Sequence, residues 1–130
     1  MKIYWDSSAL MEALDSEPLM VRLKTGEHWT RPQALAEIFS TITGGRLGFR
    51  QQTNEAAKMI SKLAARLNFI ELDAPETLRA LTQARQLGVR GGRIHDYLHA
   101  VAAEKSGAVK LLTLDKNDFS DLTKVEIEQV

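Results

Sequence analysis

Four acidic side chains stand where a carboxylate is costly. Asp6 closes the apolar run KIYW, Glu37 lies inside the apolar face of ALAEIF, Asp96 sits near the start of RIHDYLHAVAA, and Asp115 closes KLLTL. A carboxylate at the edge of a core costs free energy unless something pairs with it. Carboxylates gathered together also repel, and each raises the pKa of the others. A hard divalent cation resolves both difficulties, because magnesium and manganese favour oxygen ligands, keep several waters and need only a few carboxylates. The chain has no cysteine, which excludes disulfides, thiolate zinc sites and a cysteine nucleophile. An acid-only site therefore points to Mg2+ or Mn2+. Such a metal lowers the pKa of a coordinated water, and a pair can clamp the attacking and leaving oxygens of a phosphodiester. Ser7, Ser8 and Thr113 are placed to hydrogen-bond the ligand carboxylates. Asp118 follows Asp115 by one loop turn.

Each acid taken alone has a plainer reading. Asp6 before two serines suits a helix N-cap. Glu37 suits a solvated helix position, Asp96 a first-turn acid favoured by the helix dipole, and Asp115 or Asp118 a turn residue. The metal reading rests on the whole set occurring in this order. On that reading the cap role passes to Ser7 or Ser8, which start the next helix while steadying Asp6.

The elements that must position these groups alternate in type. KIYW, HWT, FIEL, VKLLTL and KVEIEQV read as strands, FIEL as a buried one and KVEIEQV as an alternating edge strand. Between them lie SALMEAL, a short helix from Glu17 to Lys24, RPQALAEIFSTIT, QTNEAAKMISKLAARL, APETLRALTQARQLG and IHDYLHAVAAEKSG. In RPQALAEIFSTIT, Leu35, Ile38, Phe39 and Ile42 share one helical face. Pro18, Pro32 and Pro75 each fall where a helix can begin. GGRLG and VRGGR break the pattern, and Gly88 and Gly107 end helices. Strands separated by helices imply crossovers and a mainly parallel sheet with helices on both faces. Ligands of such open sheets bind beyond the carboxyl ends of the strands, where Asp6 and Asp115 stand. Ala100 and Ala103, four and seven residues after Asp96, would let that helix approach the sheet closely.

Composition sets the remaining bounds. The chain of 130 residues suits one domain, residues 1–130. Lysine plus arginine number 17 and aspartate plus glutamate 17, so any affinity for a polyanion must come from a local basic patch. No apolar stretch approaches a membrane span or a signal peptide, so the expected location is the cytoplasm, with no membrane partner.

IYWDSSAL, ALAEIF and GGRIHDYLHAVAAEKSGAVKLLTLDKNDF together resemble a PIN domain, and within that group the VapC-type ribonuclease toxins of bacterial toxin–antitoxin pairs. The resemblance spans nearly the whole chain. It implies an α/β/α sandwich around a mainly parallel sheet of about five strands. It implies a hydrolase, a metal-dependent endoribonuclease that cleaves RNA phosphodiester bonds, with Asp6, Glu37 and Asp96 matching the family's central metal-binding acids. For the fourth acid, many relatives place asparagine where this chain has Asp115 and an acid where it has Asp118, while others carry an acid at the position of Asp115. Asp115 is favoured because it directly ends its strand, with Asp118 a nearby contributor. Asp6, Asp96 and Asp115 would then hold the metal. The resemblance further implies homodimers and a cognate antitoxin whose tail plugs the acidic groove.

Arg46, Arg50, Arg85, Arg90 and Arg93 could reach backbone phosphate, although a solvated surface role suits any one of them. His95 and His99 have an i,i+4 spacing that could hold zinc but lack a third ligand, and His99 is expected near the groove because it follows Asp96 by three residues. Trp5 and Trp29 read as core or interface anchors. A catalytically silent PIN-like module that acts by protein contacts is the alternative, and the intact acid set argues against it. A phosphorelay receiver domain would want an acid pair after the first strand and a late lysine ending another, which this chain lacks.

Overall fold

The computed structural model describes residues 1–45, 48 and 50–130. Its strands are β1 (Lys2–Trp5), β2 (Glu27–Thr30), β3 (Asn68–Phe69), β4 (Lys110–Thr113) and β5 (Glu126–Gln129). Helices α1 (Ser7–Leu14) and α2 (Glu17–Arg22) join β1 to β2, α3 (Pro32–Thr43) and α4 (Thr53–Ala64) join β2 to β3, and α5 (Ala74–Gln86) and α6 (Arg93–Ser106) join β3 to β4. A 3₁₀ turn, Lys116–Phe119, leads from β4 towards β5. The sheet order is β3-β2-β1-β4-β5, and every pairing is parallel.

The two faces of the sheet follow from the period of two along each strand. Ile3 and Trp5 of β1 and Leu112 of β4 point into a core with α1, α3 and α4, whereas Tyr4 and Leu111 point into a second core with α5 and α6. The result is the α/β/α sandwich expected. Ala100, Ala102 and Ala103 are all fully buried, and these small side chains let α6 lie close on the sheet. Gly107 ends α6 at φ 79°, a left-handed conformation that favours glycine.

Two elements depart from expectation. FIEL reads as a buried strand, but β3 covers only Asn68–Phe69, both exposed. It pairs with β2 alone, at the edge of the sheet. The chain then leaves the sheet, because Glu71 Oε1 accepts the Leu72 N–H at 2.9 Å and Asp73 forms the capping box that starts α5. In α3, Phe39 sits at the rim, 36% exposed, and the buried positions are Ala34, Ile38 and Ile42.

The strand order has a consequence for chemistry. From β1 the chain steps outward to β2 and β3, then returns past β1 to lay β4 on its other side. The direction of winding therefore reverses between β1 and β4, and a crevice at the carboxyl ends of these two strands is the general ligand position in open α/β sheets. The β1–β4 ladder runs to its very end, where the Asp6 N–H donates to the Leu112 carbonyl at 3.0 Å.

Leu10, fully buried on α1, holds the helix that Asp6 begins. Leu10→Ala is expected to lower stability in urea unfolding by about 3 kcal/mol. Leu78→Ala on α5, where the side chain is 64% exposed, is expected to change it by less than about 0.5 kcal/mol. Equal effects at the two positions would refute the docking of α1 through Leu10.

Candidate active site

Asp6 is 5% exposed, and it is itself the N-cap of α1. This corrects the expectation that the cap would pass to Ser7 or Ser8. Its Oδ1 accepts from the Ala9 N–H at 2.8 Å and the Ser8 hydroxyl at 2.7 Å, and its Oδ2 accepts from the Thr113 hydroxyl at 2.6 Å. Ser8 Oγ in turn accepts the Leu114 N–H at 3.0 Å. Burial raises the Asp6 pKa, and the bonds from Thr113, Ala9 and Ser8 offset only part of that rise. With one donor on Oδ2 and a second lone pair to spare, the carboxylate can be a cap and still present an oxygen to a ligand.

Glu37 reaches the same end of the sheet from α3. Ser7 donates to its Oε2 at 2.8 Å, and His99 Nε2 lies 3.3 Å from its Oε1. Burial pulls this carboxyl upward, but His99, Ser7 and the nearby His95 outweigh it, so Glu37 titrates below its ordinary value.

Asp96, in the first turn of α6, behaves in the opposite way. Among the described residues it accepts no hydrogen bond and has no ion pair. Burial first, then the charges of Asp118 and Asp6, push its carboxyl up to about 6; His99 opposes the rise, and Glu37 adds to it. Asp6, Glu37, Asp96 and Asp118 thus share one electrostatic field. Asp115 is exposed and engaged elsewhere, since its Oδ1 accepts the Asn117 N–H at 3.0 Å and caps the 3₁₀ turn. That turn is what carries Asp118 towards Asp96. Arg93 secures the arrangement by donating from Nη2 to the Ser120 carbonyl at 2.9 Å.

The other candidates scatter. Arg50, Arg85 and Arg90 are exposed, and Arg46 lies outside the described residues. His95 is exposed while His99 is buried, and among the described residues no three His, Cys, Asp or Glu side chains converge closely enough to hold an ion between them. Trp5 is a core residue whose Nε1 donates to His28 Nδ1 at 3.0 Å, and the Lys2 ammonium sits 5.2 Å from the centre of the Trp29 ring. Sequence reasoning set His99 near the groove but missed its partner Tyr4, which reads as one more apolar strand residue. Tyr4 Oη is 2.7 Å from His99 Nδ1.

Beside the acids, a cavity of about 570 Å³ opens between α1 and α3, and Ser7 and Glu37 form part of its wall along with Met11, Gln33, Ser40 and Thr41. The donor set fits a hard divalent ion. It is all oxygen, it includes one half-buried carboxylate without a partner among the described residues, and its mutual repulsion is what a cation relieves. With no three acids among the described residues in direct convergence, one or two carboxylates would hold the ion, with water completing the shell.

Among known proteins, the PIN domain family matches residues 3–125. No curated protein sequence matches the chain significantly. Solved structures share the fold at low identity. A chain of VapBC2 from Rickettsia felis, solved bound to a DNA fragment from the promoter, superposes with a TM-score of 0.75 at 16% identity, covering 100% of this chain and 99% of that one. A chain of VapBC-1 from nontypeable Haemophilus influenzae gives 0.71 at 15%, covering 99% and 98%. PAE2754 from Pyrobaculum aerophilum gives 0.73 at 19%, covering 98% and 88%. With the family match running from β1 to the threshold of β5 and so through both core layers, this chain belongs to the PIN domain family.

Proposed function

We propose that this chain is a metal-dependent endoribonuclease, a VapC-type toxin whose partners are its RNA substrate, a cognate antitoxin protein and a second copy of itself. One observation carries the reading. Asp96 is a half-buried carboxyl without a hydrogen bond or ion pair among the described residues, pushed up to about 6 by burial and then by Asp118, Asp6 and Glu37. Such an arrangement is unfavourable for the protein alone and favourable around a cation. Family membership supports nuclease chemistry, and the likeness to chains from VapBC complexes supports the toxin assignment.

Asp6 and Asp96 would hold Mg2+ or Mn2+, directly or through water. When bound, the ion supplies a water of lowered pKa and neutralises charge on the phosphate. Glu37 orients an attacking water from the α3 side. For the fourth acid we favour Asp118 over Asp115, because the Asp118 charge acts on Asp96 while Asp115 caps the 3₁₀ turn. Ser8 and Thr113 keep Asp6 from turning. Among the described residues no helix is long and apolar enough to cross a membrane, and the cytoplasm, where RNA is at hand, is the proposed location.

The test is direct cleavage of cellular RNA with Mg2+ or Mn2+. Asp6→Asn and Asp96→Asn are each expected to lose at least about 100-fold, and Asp118→Asn about 10- to 100-fold. Asp115→Asn should stay within a few-fold of the unaltered chain. Cleavage that survives the first two substitutions would remove the site assignment. No cleavage and no metal binding by calorimetry would favour a silent binding module.

The acid cluster also predicts a pH effect on the metal-free protein. The folded pKa of Asp96 lies above its ordinary value, so its ionisation opposes folding. The penalty is absent below about pH 4, grows through about pH 6 and is constant above. After allowance for solvent screening it amounts to about 1–2 kcal/mol. Metal-free Asp96→Asn is therefore expected to melt several degrees above the unaltered chain at pH 7 and level with it at pH 4. Added Mn2+ should raise the melting temperature of the unaltered chain and not that of the variant. A metal-free variant that melts lower at pH 7 would contradict this.

A further inference from the structure

His99 is fully enclosed, 2% exposed, yet both of its ring nitrogens have partners on other elements. Nδ1 meets the Tyr4 hydroxyl of β1 at 2.7 Å, and Nε2 meets Glu37 of α3 at 3.3 Å. The Tyr4 ring stands edge-on to the imidazole with centroids 5.8 Å apart. The chain of contacts runs from a fully buried phenol, through the imidazole, to a carboxylate that Ser7 holds from its other side. Tyr4 and His99 belong to the α5–α6 side of the sheet and Glu37 to the α1–α4 side, so the contact bridges the two layers over the end of β1. A histidine that merely fills a core needs no such reach.

We propose that His99 is a positioning residue, locked by Tyr4, whose Nε2–H fixes the Glu37 carboxylate at the acid cluster. The catalytic consequence rests on the nuclease reading, whereas the positioning itself does not. Burial holds the Tyr4 phenol protonated far above its ordinary range, so it can donate to Nδ1 of a neutral ring. That leaves the hydrogen on Nε2, pointing at Glu37, because one nitrogen of a neutral imidazole must accept while the other donates. A cationic ring would also keep a hydrogen on Nε2. Only the tautomer protonated on Nδ1 alone is incompatible, since it leaves an acceptor facing a carboxylate. The glutamate side chain has three rotatable bonds, and two fixed donors, Ser7 and His99, remove most of that freedom before substrate arrives. Partners of this kind are typically worth 10- to 100-fold in activity when they orient a ligand or a base.

Long-range nitrogen–proton correlation spectra of the metal-free full chain decide the positioning. His99 is expected to carry its hydrogen on Nε2, and Tyr4→Phe, which removes only the hydroxyl, is expected to let the Nδ1-protonated tautomer appear. A ring protonated on Nδ1 alone in the unaltered chain, or a spectrum unmoved by Tyr4→Phe, overturns the proposal. Cleavage kinetics test the consequence. His99→Leu is expected to lower kcat about 10-fold or more with KM changed less than about 2-fold, and His99→Gln, whose amide can still donate, to recover part of the loss. In a Glu37→Gln background, His99→Leu should cost nothing further. The same loss in both backgrounds, or a change in KM alone, overturns action through Glu37. If the unaltered chain cleaves no RNA, the nuclease reading fails, and the spectra alone judge the positioning.

Discussion

The carboxylate of Asp6 ties together the three elements that meet where the sheet reverses. It ends β1, begins α1 through the Ala9 N–H, and is bound to β4 through the Thr113 hydroxyl. Buried as they are, these hydrogen bonds offset part of the cost that burial puts on the ionised carboxyl. A position that looks unfavourable thereby becomes a fixed reference for everything else at that end. Ser8 extends the tie by accepting from Leu114, which sets the direction in which the chain leaves β4.

Around that reference the other acids differ in how much their surroundings favour the charged form. Glu37, with two donors, is settled as a carboxylate; Asp96, with none among the described residues, is not. The disparity places the strain of the cluster on one residue, at the start of α6. A site that carries such strain trades folding free energy for a function that needs the charge.

Much of this was legible because it follows from local rules. KIYW and KLLTL announced themselves by apolar runs, and Asp6 was visible as a violation of the rule that cores exclude charge, whereas Asp115, which follows its run in the same way, lies exposed beyond the end of β4. The alanines of α6 announced close packing. FIEL misled because apolar content alone does not say whether a strand is central or at an edge. Asp115 and Asp118 were separable only through the path of a 3₁₀ turn, and three residues of sequence do not encode which carboxylate turns back to cap it. Tyr4 was hidden because a tyrosine in a strand satisfies the hydrophobic pattern whatever its hydroxyl does, and its partner His99 lies 95 positions away.

The tether between Arg93 and Ser120 is reinforced by a second, from Thr123 Oγ1 to Glu104 at 3.2 Å, and by Phe119, which is 1% exposed within the α5–α6 core. The loop that carries Asp118 is thus lashed to α6, which carries Asp96, whereas Asp6 belongs to the sheet and Glu37 to α3. His99, also on α6, meets Tyr4 of β1 and Glu37 of α3, so the helix that bears Asp96 is braced across the cluster as well as along its own loop. A displacement of α6 would have to break those contacts before the acids on its side could part from Asp6 and Glu37.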